Sequence, residues 1–420
     1  MVHSMVKICA GIDVHEAILV VCLMKGDLDK EPTTTIREFQ TFPDSIMELA
    51  QWLDSENCEQ VAMESTGVYW KTVWAILEEH KYKLILANPR DIKNKPGRKT
   101  DTLDAEWIAS LLRCGLIDPS FIPDSKIREL RNSTRTYRKF VQDLTRTKNR
   151  IHKVLQESGI KFAGLITDIF GPTGSKILEK IINEEEITYT YLLQITSTRG
   201  SSKLKHKVDD IYRSLQSKIS PTNLKLLKLL YSHYNYLNKM LEDLDEIIEE
   251  QLAPFDEEVK LLCTIPGIKI NTARAIIAEI GTDMSVFQND KHLSSLSGIC
   301  PGNNESAGKK KKKKGRTTKR GSKALKGTLC EAAWSSVNNH KSILSKLYGI
   351  YVRRMGKAKA ITAVANKLLQ ISYVILRDRV GYKEIEPIQE KAMHDRKVKQ
   401  MIALLQKEGY EISEKSPINQ

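Results

Sequence analysis

The spacing of hydrophobic residues along the first 120 positions alternates between the patterns of strands and of helices. Short apolar runs bounded by turns predict strands near residues 7–13, 17–24, 60–64 and 83–87, and apolar residues three and four apart predict helices near 43–54, 69–80 and 101–114. Strands that alternate with helices are typical of an α/β domain. We therefore predict an α/β domain with a mixed sheet over residues 1–120.

From about residue 124 the apolar residues take the spacing of long helices. Two series step alternately by three and four residues, which is the spacing of a coiled-coil seam: Ile127, Leu130, Thr134, Tyr137, Val141, Leu144, Lys148, Ile151 and Leu155, then Leu227, Leu230, Tyr234, Leu237, Leu241, Leu244 and Ile248. Thr134 and Lys148 interrupt the first seam. Two helices of this kind pair within one chain as a hairpin, or they also join protomers. We predict a coiled-coil region over residues 121–258.

An insert, residues 159–220, separates the two seams. It contains the glycine- and proline-rich segment GPTGS at 171–175, a β-prone segment TYTYLLQIT, and a basic run that ends near Lys207. These signals conflict, so the sequence assigns no fold to the insert.

A third, mainly helical region is predicted over residues 259–385, followed by a charged tail at 386–420. Its first part, LLCTIPGIKINTARAIIAEIG at 261–281, has the form of a helix-hairpin-helix with Gly267 in the turn. Glycine there lets backbone N–H groups approach a phosphate, and the next helix N-terminus adds positive potential. The alternative is an ordinary pair of helices in a core. Residues 340–380 predict two more helices.

Charge narrows the class of partner. The chain of 420 residues has a formal net charge of +14 and a sequence pI near 9.2, which favours nucleic acid over a membrane surface. Its seven cysteines are scattered without CxxC spacing, which indicates reduced thiols in a cytoplasmic protein and neither disulfides nor a zinc site. The apolar run Ala17–Met24 is too short to span a bilayer, and we expect no export.

Four acids stand at the ends of predicted elements. Asp13 closes the first strand, Glu64 closes a later strand, and Asp101 and Asp104 lie in the first turn of a helix that Thr100 caps. Singly, each acid has an ordinary explanation as a turn residue, a surface acid or a favourable charge at a helix N-terminus. Together they are the oxygen-rich set that a two-metal phosphodiester site needs, so the sequence predicts divalent metal binding there.

Basic residues concentrate in three places. Arg98 and Lys99 lie in a loop with Arg90, Lys93 and Lys95, and the first long helix carries Arg131, Arg135, Arg138, Lys139, Arg146, Lys148 and Arg150. The densest block holds eleven cations and no acid between Glu305 and Glu331: Lys309 to Lys314, Arg316, Lys319, Arg320, Lys323 and Lys326. Such cations are either solvated or bind a phosphate backbone, and we favour the backbone slightly for the long helix.

Ser306 lies just before the lysine block, separated from Lys309 by Ala307 and Gly308. A serine hydroxyl is a weak nucleophile, but nearby cations can stabilise the charge that develops when it attacks a phosphodiester. By chemistry alone, a serine in a polar loop is far more often only a loop residue.

The chain resembles the DEDD transposases of bacterial insertion sequences, the family that includes the pilin-gene invertase and the bridge-RNA-guided recombinases. The motifs that carry the resemblance are GIDVHE, ESTGVYW, NPRDIKNKPGRKTDTLDAEWIASLLRCGL, TIPGIKINTARAIIAEIG, LSGICPGNNESAGK, GRTTKRGSKALKGTLCEAA and KAITAVANKLLQ. They occur in the family's order over roughly 7–120 and 260–372. The middle of the chain carries no comparable motif.

The resemblance implies a RuvC-like, RNase H-type domain whose DEDD tetrad falls on Asp13, Glu64, Asp101 and Asp104 and binds Mg²⁺ or Mn²⁺. It also implies a C-terminal transposase domain whose nucleophilic serine falls on Ser306, acting through a phosphoserine link to DNA. A dimer or tetramer in which acids and serine come from different protomers is implied as well, as is a structured guide RNA that pairs with donor and target DNA. We expect nucleic-acid contacts at Arg98, Lys99, Gly267, Lys309, Lys310, Arg316, Lys319 and Arg320.

Two departures from the family pattern bear on the serine. Family members often have Ser-Ser-Gly-Gly where this chain has Glu305, Ser306, Ala307 and Gly308, which leaves one serine candidate. The six-lysine run is also longer than usual. Two rival functions remain: a RuvC-like junction or DNA nuclease without serine chemistry, and a nucleic-acid-binding scaffold with an inactive site.

Overall fold

The computed structural model describes residues 4–65, 67–89, 92, 101–197, 202–300, 321–340, 342–383, 398, 401–403 and 405–406, with only the backbone at 101–103, 202, 203 and 205. The chain divides into two compact units, Met1–Arg128 and Glu129–Gln420. The domain boundaries expected inside the second unit, at residues 258 and 385, stay predictions.

A five-stranded mixed sheet forms the centre of the first unit. Its strands are β1 (Ile8–Val14), β2 (Ile18–Lys25), β3 (Thr33–Gln40), β4 (Gln60–Glu64) and β5 (Lys83–Ala87), in the spatial order β3-β2-β1-β4-β5. β2 runs antiparallel to both β1 and β3, whereas β1, β4 and β5 run parallel. The predicted α/β class with a mixed sheet is therefore confirmed.

Strand β3 is the element of this sheet that the hydrophobic pattern missed. Its sequence, TTTIREFQ, contains two large apolar residues, and Phe39 alone of the eight residues is buried. β3 is an edge strand that pairs only with β2, so one side of its backbone has no strand beside it. A strand with so little buried surface leaves almost no apolar alternation for sequence analysis to detect.

Helices cover both faces of the sheet. On one face, α1 (Pro43–Ser55) and α2 (Trp70–Leu77) share a core with inward residues of β1, β2 and β4 such as Ile12. On the other face, α3 (Asp101–Arg113) packs over Cys9, Cys22 and Ala62 through its own small residues. Because side chains alternate along a strand, odd-numbered positions of β1 face α3 and even-numbered positions face α1 and α2.

The second unit is helical in the part that the structure describes. Its helices are α4 (Ser125–Glu157, which starts in the first unit), α5 (Pro172–Ile182), α6 (Tyr189–Thr196), α7 (Val208–Ser214), α8 (Pro221–Leu252), α9 (Asp256–Cys263), α10 (Ile270–Ile280), α11 (Asp290–Leu296), α12 (Lys323–Val337), α13 (Ile343–Met355) and α14 (Lys357–Asp378). The two long helices were predicted from their seams, and α13 and α14 match the pair expected within 340–380. Coiled-coil packing itself stays a prediction.

The insert between α4 and α8 is mainly helical in the residues that the structure describes, with its own apolar core. The segment TYTYLLQIT, β-prone by composition, forms helix α6 instead, because Thr188 caps its N-terminus and Leu192 and Ile195 face a common core. That core also takes in Phe162, Ile177 and the facing ends of both long helices. Burial of one face thus overrides the intrinsic strand preference of threonine and tyrosine.

Among the described helices, none is both long enough and apolar enough to cross a membrane. All seven cysteines are free thiols; Cys9, Cys22 and Cys58 are buried, and the other four are only partly buried.

Candidate active site

Asp13 and Glu64 are neighbours at one edge of the sheet. β1 and β4 run parallel with Ile12 opposite Met63, so the next position of each strand places Asp13 beside Glu64. Glu64 is also the last residue of its strand and is buried. The carboxyl ends of parallel strands meet at the same edge, and both side chains point to the face that α3 covers.

Gly11 lets α3 approach this face closely. A Cβ placed on Gly11 would lie 3.0 Å from the Cα of Ala109 and closer still to the carbonyl oxygen of Ala105. Only a residue without a side chain fits there, since those atoms belong to the helix backbone. The contact places the start of α3, and with it Asp104, over the strand position that follows Gly11 on the same face, which is Asp13.

Asp104 is half-buried and close enough to Asp13 for the two charges to interact. Asp101 is the first residue of α3, and its side chain lies outside the described residues. The structure thus brings Asp13, Glu64 and Asp104 together and supports a helical position for Asp101, one turn before Asp104.

The electrostatics of Asp13 reflect this crowding. Its side chain is only 13% exposed, and burial raises the pKa of its carboxyl above the ordinary value. The neighbouring charge of His15 opposes that rise, whereas the charges of Asp104 and Glu64 add to it. Like charges held together in a partly dry site are costly unless a cation or a proton joins them.

His15 is a site residue that sequence analysis did not single out. Its Nε2 atom lies 3.0 Å from Oδ2 of Asp13, and its backbone N–H donates to the carbonyl of Ile18 in the turn between β1 and β2. The signal was available in the sequence, because a histidine two residues after a strand-end acid can reach back to that acid.

The donor chemistry suits a hard divalent cation, since carboxylate oxygens are the ligands such ions prefer. Within the described side chains, however, no three His, Cys, Asp or Glu residues lie close enough together to hold an ion. Asp13, Glu64 and Asp104 interact electrostatically without forming a closed ligand shell. The predicted metal site therefore remains a prediction.

Arg113 fixes the other end of α3 to the sheet. The residue is buried, and its guanidinium donates to five backbone carbonyls: those of Val6 and Lys7, just before β1, and those of Gly26, Asp27 and Lys30, which follow β2. The helix is thus held at its last turn by hydrogen bonds and near its first turns by the contact at Gly11.

Three of the seven cations on the basic face of α4 have partners within the fold, which departs from the phosphate-binding interpretation favoured from the sequence; for the other four that interpretation stays a prediction. Arg131 donates to the carbonyls of Ala278 and Glu279, Arg135 forms a two-pronged pair with the Glu279 carboxylate, and Arg138 donates to Ala324, Thr328 and Glu331. These three guanidinium groups hold α10 and α12 against α4. Charge clustering alone cannot distinguish such internal pairs from phosphate contacts, because the partners lie more than 140 residues away.

Ser306 and the cations from Lys309 to Arg320 lie outside the described residues, but the residues on both sides of this predicted loop are described. Ile299 and Cys300 precede it, and Gly321 and Ser322 follow it. A Cβ on Gly321 would lie 2.6 Å from the Cα of Gly298, and the Ser322 N–H donates to the Leu296 carbonyl over 3.0 Å. The chain therefore leaves and re-enters the fold at adjacent points.

Glu279 holds the second end of that loop. Ser322 donates to its Oε2 atom over 2.9 Å while also capping α12 through Leu325 N–H. Burial alone would raise the pKa of Glu279, but the hydrogen bond and charge of Arg135, with help from Arg131 and Ser322, place that pKa below its ordinary value.

Gly267 lies in the turn between α9 and α10 with φ near +90°, a conformation that favours glycine. A Cβ there would lie 2.5 Å from the backbone nitrogen of Ser336, whose hydroxyl donates to the Pro266 carbonyl. Packing against α12 therefore explains this glycine without a phosphate, which favours the ordinary helix pair. Phosphate binding at Gly267 stays a prediction, and the remaining expected contacts, Arg98, Lys99, Lys309, Lys310, Arg316, Lys319 and Arg320, lie outside the described residues.

Two family models match the sequence. One, described as a DEDD_Tnp_IS110 transposase, matches residues 10–160, and the other, described as the transposase IS116/IS110/IS902 family, matches residues 259–349. Together they cover more than half of the chain.

Similar proteins include two curated relatives. The chain is 28% identical over 163 residues to the transposase for insertion sequence element IS1328 of Yersinia enterocolitica, covering 38% of this chain and 48% of the relative. It is 35% identical over 127 residues to the pilin gene-inverting protein of Moraxella bovis, covering 29% of this chain and 38% of the relative. The chain thus spans less than half the length of the relatives it matches.

Two solved structures also match the chain. The RuvC structure of Thermus thermophilus matches with a TM-score of 0.22 and 14% identity, over 27% of this chain and 100% of that one. The T. thermophilus RuvC complex with a Holliday junction substrate matches with a TM-score of 0.22 and 15% identity, over 27% and 99%.

Proposed function

Because the chain belongs to the IS110 family of DEDD transposases, we propose that it is a metal-dependent DNA recombinase that cuts, exchanges and rejoins strands. The observation that carries the proposal is the meeting of Asp13, Glu64 and Asp104 on one face of the sheet. These acids come from two strands and a helix. The helix is positioned by its close backbone approach to Gly11 and by the hydrogen bonds of Arg113 to backbone carbonyls.

The metal ligands in this proposal are Asp13, Glu64, Asp101 and Asp104, holding Mg²⁺ or Mn²⁺. Divalent ions bound there would neutralise charge on the phosphodiester and favour formation of an attacking oxygen nucleophile. His15 holds Asp13 in place through its 3.0 Å contact. Burial of Asp13 and Glu64 excludes water from one side of the site, which strengthens every charge interaction within it.

Ser306 supplies the second chemical group. Its hydroxyl oxygen loses a proton to a base, forms a bond to phosphorus, and displaces a DNA hydroxyl that takes up a proton. Attack by another DNA hydroxyl then breaks the phosphoserine bond and joins the new strand, returning the proton to serine. The adjacent lysines would stabilise negative charge on the phosphoryl oxygens during both steps.

The partners follow from the same proposal. They are donor and target DNA, a structured guide RNA that selects both, and further copies of this chain in a dimer or tetramer whose acids and serine meet across protomers. Delegating recognition to RNA accounts for a protein without an evident base-reading code. The guide RNA is tested by purifying the chain together with RNA transcribed from the DNA that flanks its gene, and then treating the complex with nuclease. The proposal predicts that the chain protects an RNA segment, and complete digestion of the RNA would contradict it.

The metal site is tested separately from catalysis. Mg²⁺ should raise the melting temperature of the wild-type chain, and the rise should disappear in Asp104→Asn, because one anionic ligand is lost. Asp27→Asn is the control, since Asp27 is an exposed acid of the same unit whose carboxylate pairs with Lys30. Cleavage of labelled DNA should be lost in Asp104→Asn and kept in Asp27→Asn. Retained cleavage by Asp104→Asn would contradict the metal site, and absence of cleavage by the wild-type chain itself would favour the scaffold.

The serine chemistry is tested by trapping. A covalent protein–DNA adduct should form with the wild-type chain and be absent from Ser306→Ala. The second candidate, a junction or DNA nuclease without serine chemistry, predicts instead that Ser306→Ala cuts DNA at the wild-type rate.

A further inference from the structure

The helices that follow the lysine block form a second basic surface. No Asp or Glu lies between Glu331 and Asp378 in the sequence, whereas lysines and arginines recur throughout. The one acid at its start, Glu331, is paired with Arg138 over 2.6 Å. On α13 and the start of α14, Arg353, Arg354 and Lys357 are exposed. The surface is therefore positive for two reasons. The sequence supplies no acid along this stretch, and the charge of the acid at its start is balanced by Arg138.

Gly349 stands in the middle of this surface without a structural reason to be glycine. It occupies the interior of α13, where glycine is less favourable than alanine. Its φ is not positive, and, apart from the backbone of its own helix, a Cβ placed on it would meet no atom of the described residues within 4 Å. By contrast, Gly11, Gly267 and Gly321 all face backbone atoms that exclude a side chain.

The residues around Gly349 form an exposed strip along α13. Lys346, Gly349 and Arg353 are spaced by three and four positions, so they share one face of α13, with Ile350 and Arg354 beside them. Ile350 is half exposed. A backbone that approaches this face can pass directly over Gly349 between flanking cations.

An aromatic pair, of which Trp334 is exposed and Tyr348 is partly buried, lies on the flank of α13 next to the strip. Trp334 of α12 is 45% exposed, and its ring lies 5.7 Å from that of Tyr348, the residue beside Gly349. Large exposed aromatic side chains next to cations are a common platform for unpaired bases.

We infer that α13 is a docking surface for a nucleic-acid strand, whose phosphodiester backbone passes over Gly349 between Lys346 and Arg353 while an unpaired base stacks on Trp334. The inference rests on the proposed function only in taking nucleic acid as the partner class. Charge complementarity identifies a nucleic-acid strand as the occupant. The cations of the strip match its anionic phosphates, and the nearby aromatic ring matches its unpaired bases. DNA and RNA share this chemistry, and the test separates them.

The first test uses a substitution with opposite effects on folding and binding. Gly349→Ala in the full chain should raise the melting temperature by roughly 1–3 °C, because alanine favours the helix. The same substitution should weaken binding of labelled single-stranded oligonucleotides about fivefold or more, since a methyl group fills the approach. Gly164→Ala is the control, because a Cβ at Gly164 also meets open space. Wild-type affinity in Gly349→Ala, or a lowered melting temperature, would overturn the inference.

The second test measures the charges and the aromatic platform. Replacing Arg353 and Arg354 with glutamine should reduce the slope of the logarithm of affinity against the logarithm of salt concentration by about one phosphate contact per residue. Lys239→Gln, at an exposed residue of α8, should leave that slope unchanged. Trp334→Ala should weaken binding of an unpaired strand by about tenfold, and Trp334→Phe should restore most of it. Wild type and variants are titrated in parallel with DNA and RNA of the same sequence. The occupant is the strand whose affinity falls more in the variants. Unchanged binding of both strands, or variants that lose only binding to anionic vesicles, would refute the inference.

These measurements separate this inference from the proposed function. Variants of α13 that bind like the wild type, in a chain that still cleaves DNA, would remove the docking surface and leave the recombinase. A wild-type chain without metal-dependent cleavage, whose α13 variants still lose affinity, would remove the recombinase and leave the docking surface.

Discussion

Gly11 of β1 and Ala105 of α3 are in backbone contact, and the contact leaves no room for a side chain on Gly11. Asp13 follows Gly11 on the same face of the strand, and Asp104 precedes Ala105 on the helix. The distance between the two acids is therefore set by the smallest residue in the sheet.

Substitution of Gly11 by alanine should separate the acids. The added methyl group must displace α3 or its strand, at a cost of about 1–3 kcal/mol in the free energy of unfolding. We expect Gly11→Ala to lose DNA cleavage and the Mg²⁺-dependent rise in melting temperature while remaining folded by circular dichroism. Gly26→Ala, in which a Cβ would lie 3.2 Å from Pro32, is the control. Wild-type cleavage in Gly11→Ala would show that α3 does not position the site.

Arg113 should be more important for stability than its charge suggests. Arg113→Lys keeps the charge but cannot reach five carbonyls, so several buried acceptors lose their partner. We expect a loss of about 2–4 kcal/mol in urea unfolding monitored in the first unit. Lys25→Arg, at an exposed residue of the same sheet, should change stability little. Equal midpoints for Arg113→Lys and the wild type would contradict the role.

The Glu279 network should be sensitive to acid. The pKa of Glu279 lies below its ordinary value of 4.5 in the folded state, so its contribution is complete above that value and is lost as pH falls through the folded pKa. Glu279→Gln should cost about 1–3 kcal/mol at neutral pH, a range that allows for the half-exposed guanidinium of Arg135. The difference should vanish in strong acid. Glu331→Gln, at an exposed acid, is the control, and a pH-independent difference would exclude the linkage.

The closed base of the loop from 301 to 320 should matter for Ser306 chemistry. Gly321→Ala would force apart the chain at Gly298 and Leu296 and so move the point from which the loop starts. We expect the yield of covalent DNA adduct to fall about tenfold or more, with metal-dependent stabilisation of the first unit unchanged. Gly164→Ala is again the control for an open position. An unchanged adduct yield would mean that the loop base does not position the serine.

The candidate site was predictable from the sequence in its parts. Asp13 and Glu64 were placed at strand ends and Asp104 in a first helical turn, because local apolar spacing fixes where each element stops. We expected the three acids to lie together because all of them stand at the ends of predicted elements and because the chain resembles the DEDD family. The contact at Gly11 and the partner His15 were not foreseen, since neither leaves a periodic signal.

The sequence by itself determined four of the five strands, the three helices of the first 120 residues and the two long helices, together with the positive charge and the family, because these depend on local spacing, composition and motifs. Tertiary structure decided which charges are available. It assigned Arg131, Arg135 and Arg138 to internal partners, turned a β-prone segment into α6, and brought the ends of a loop together at Gly298 and Gly321. Each of those outcomes depends on atoms far apart in the chain, and local sequence carries no measure of such distances.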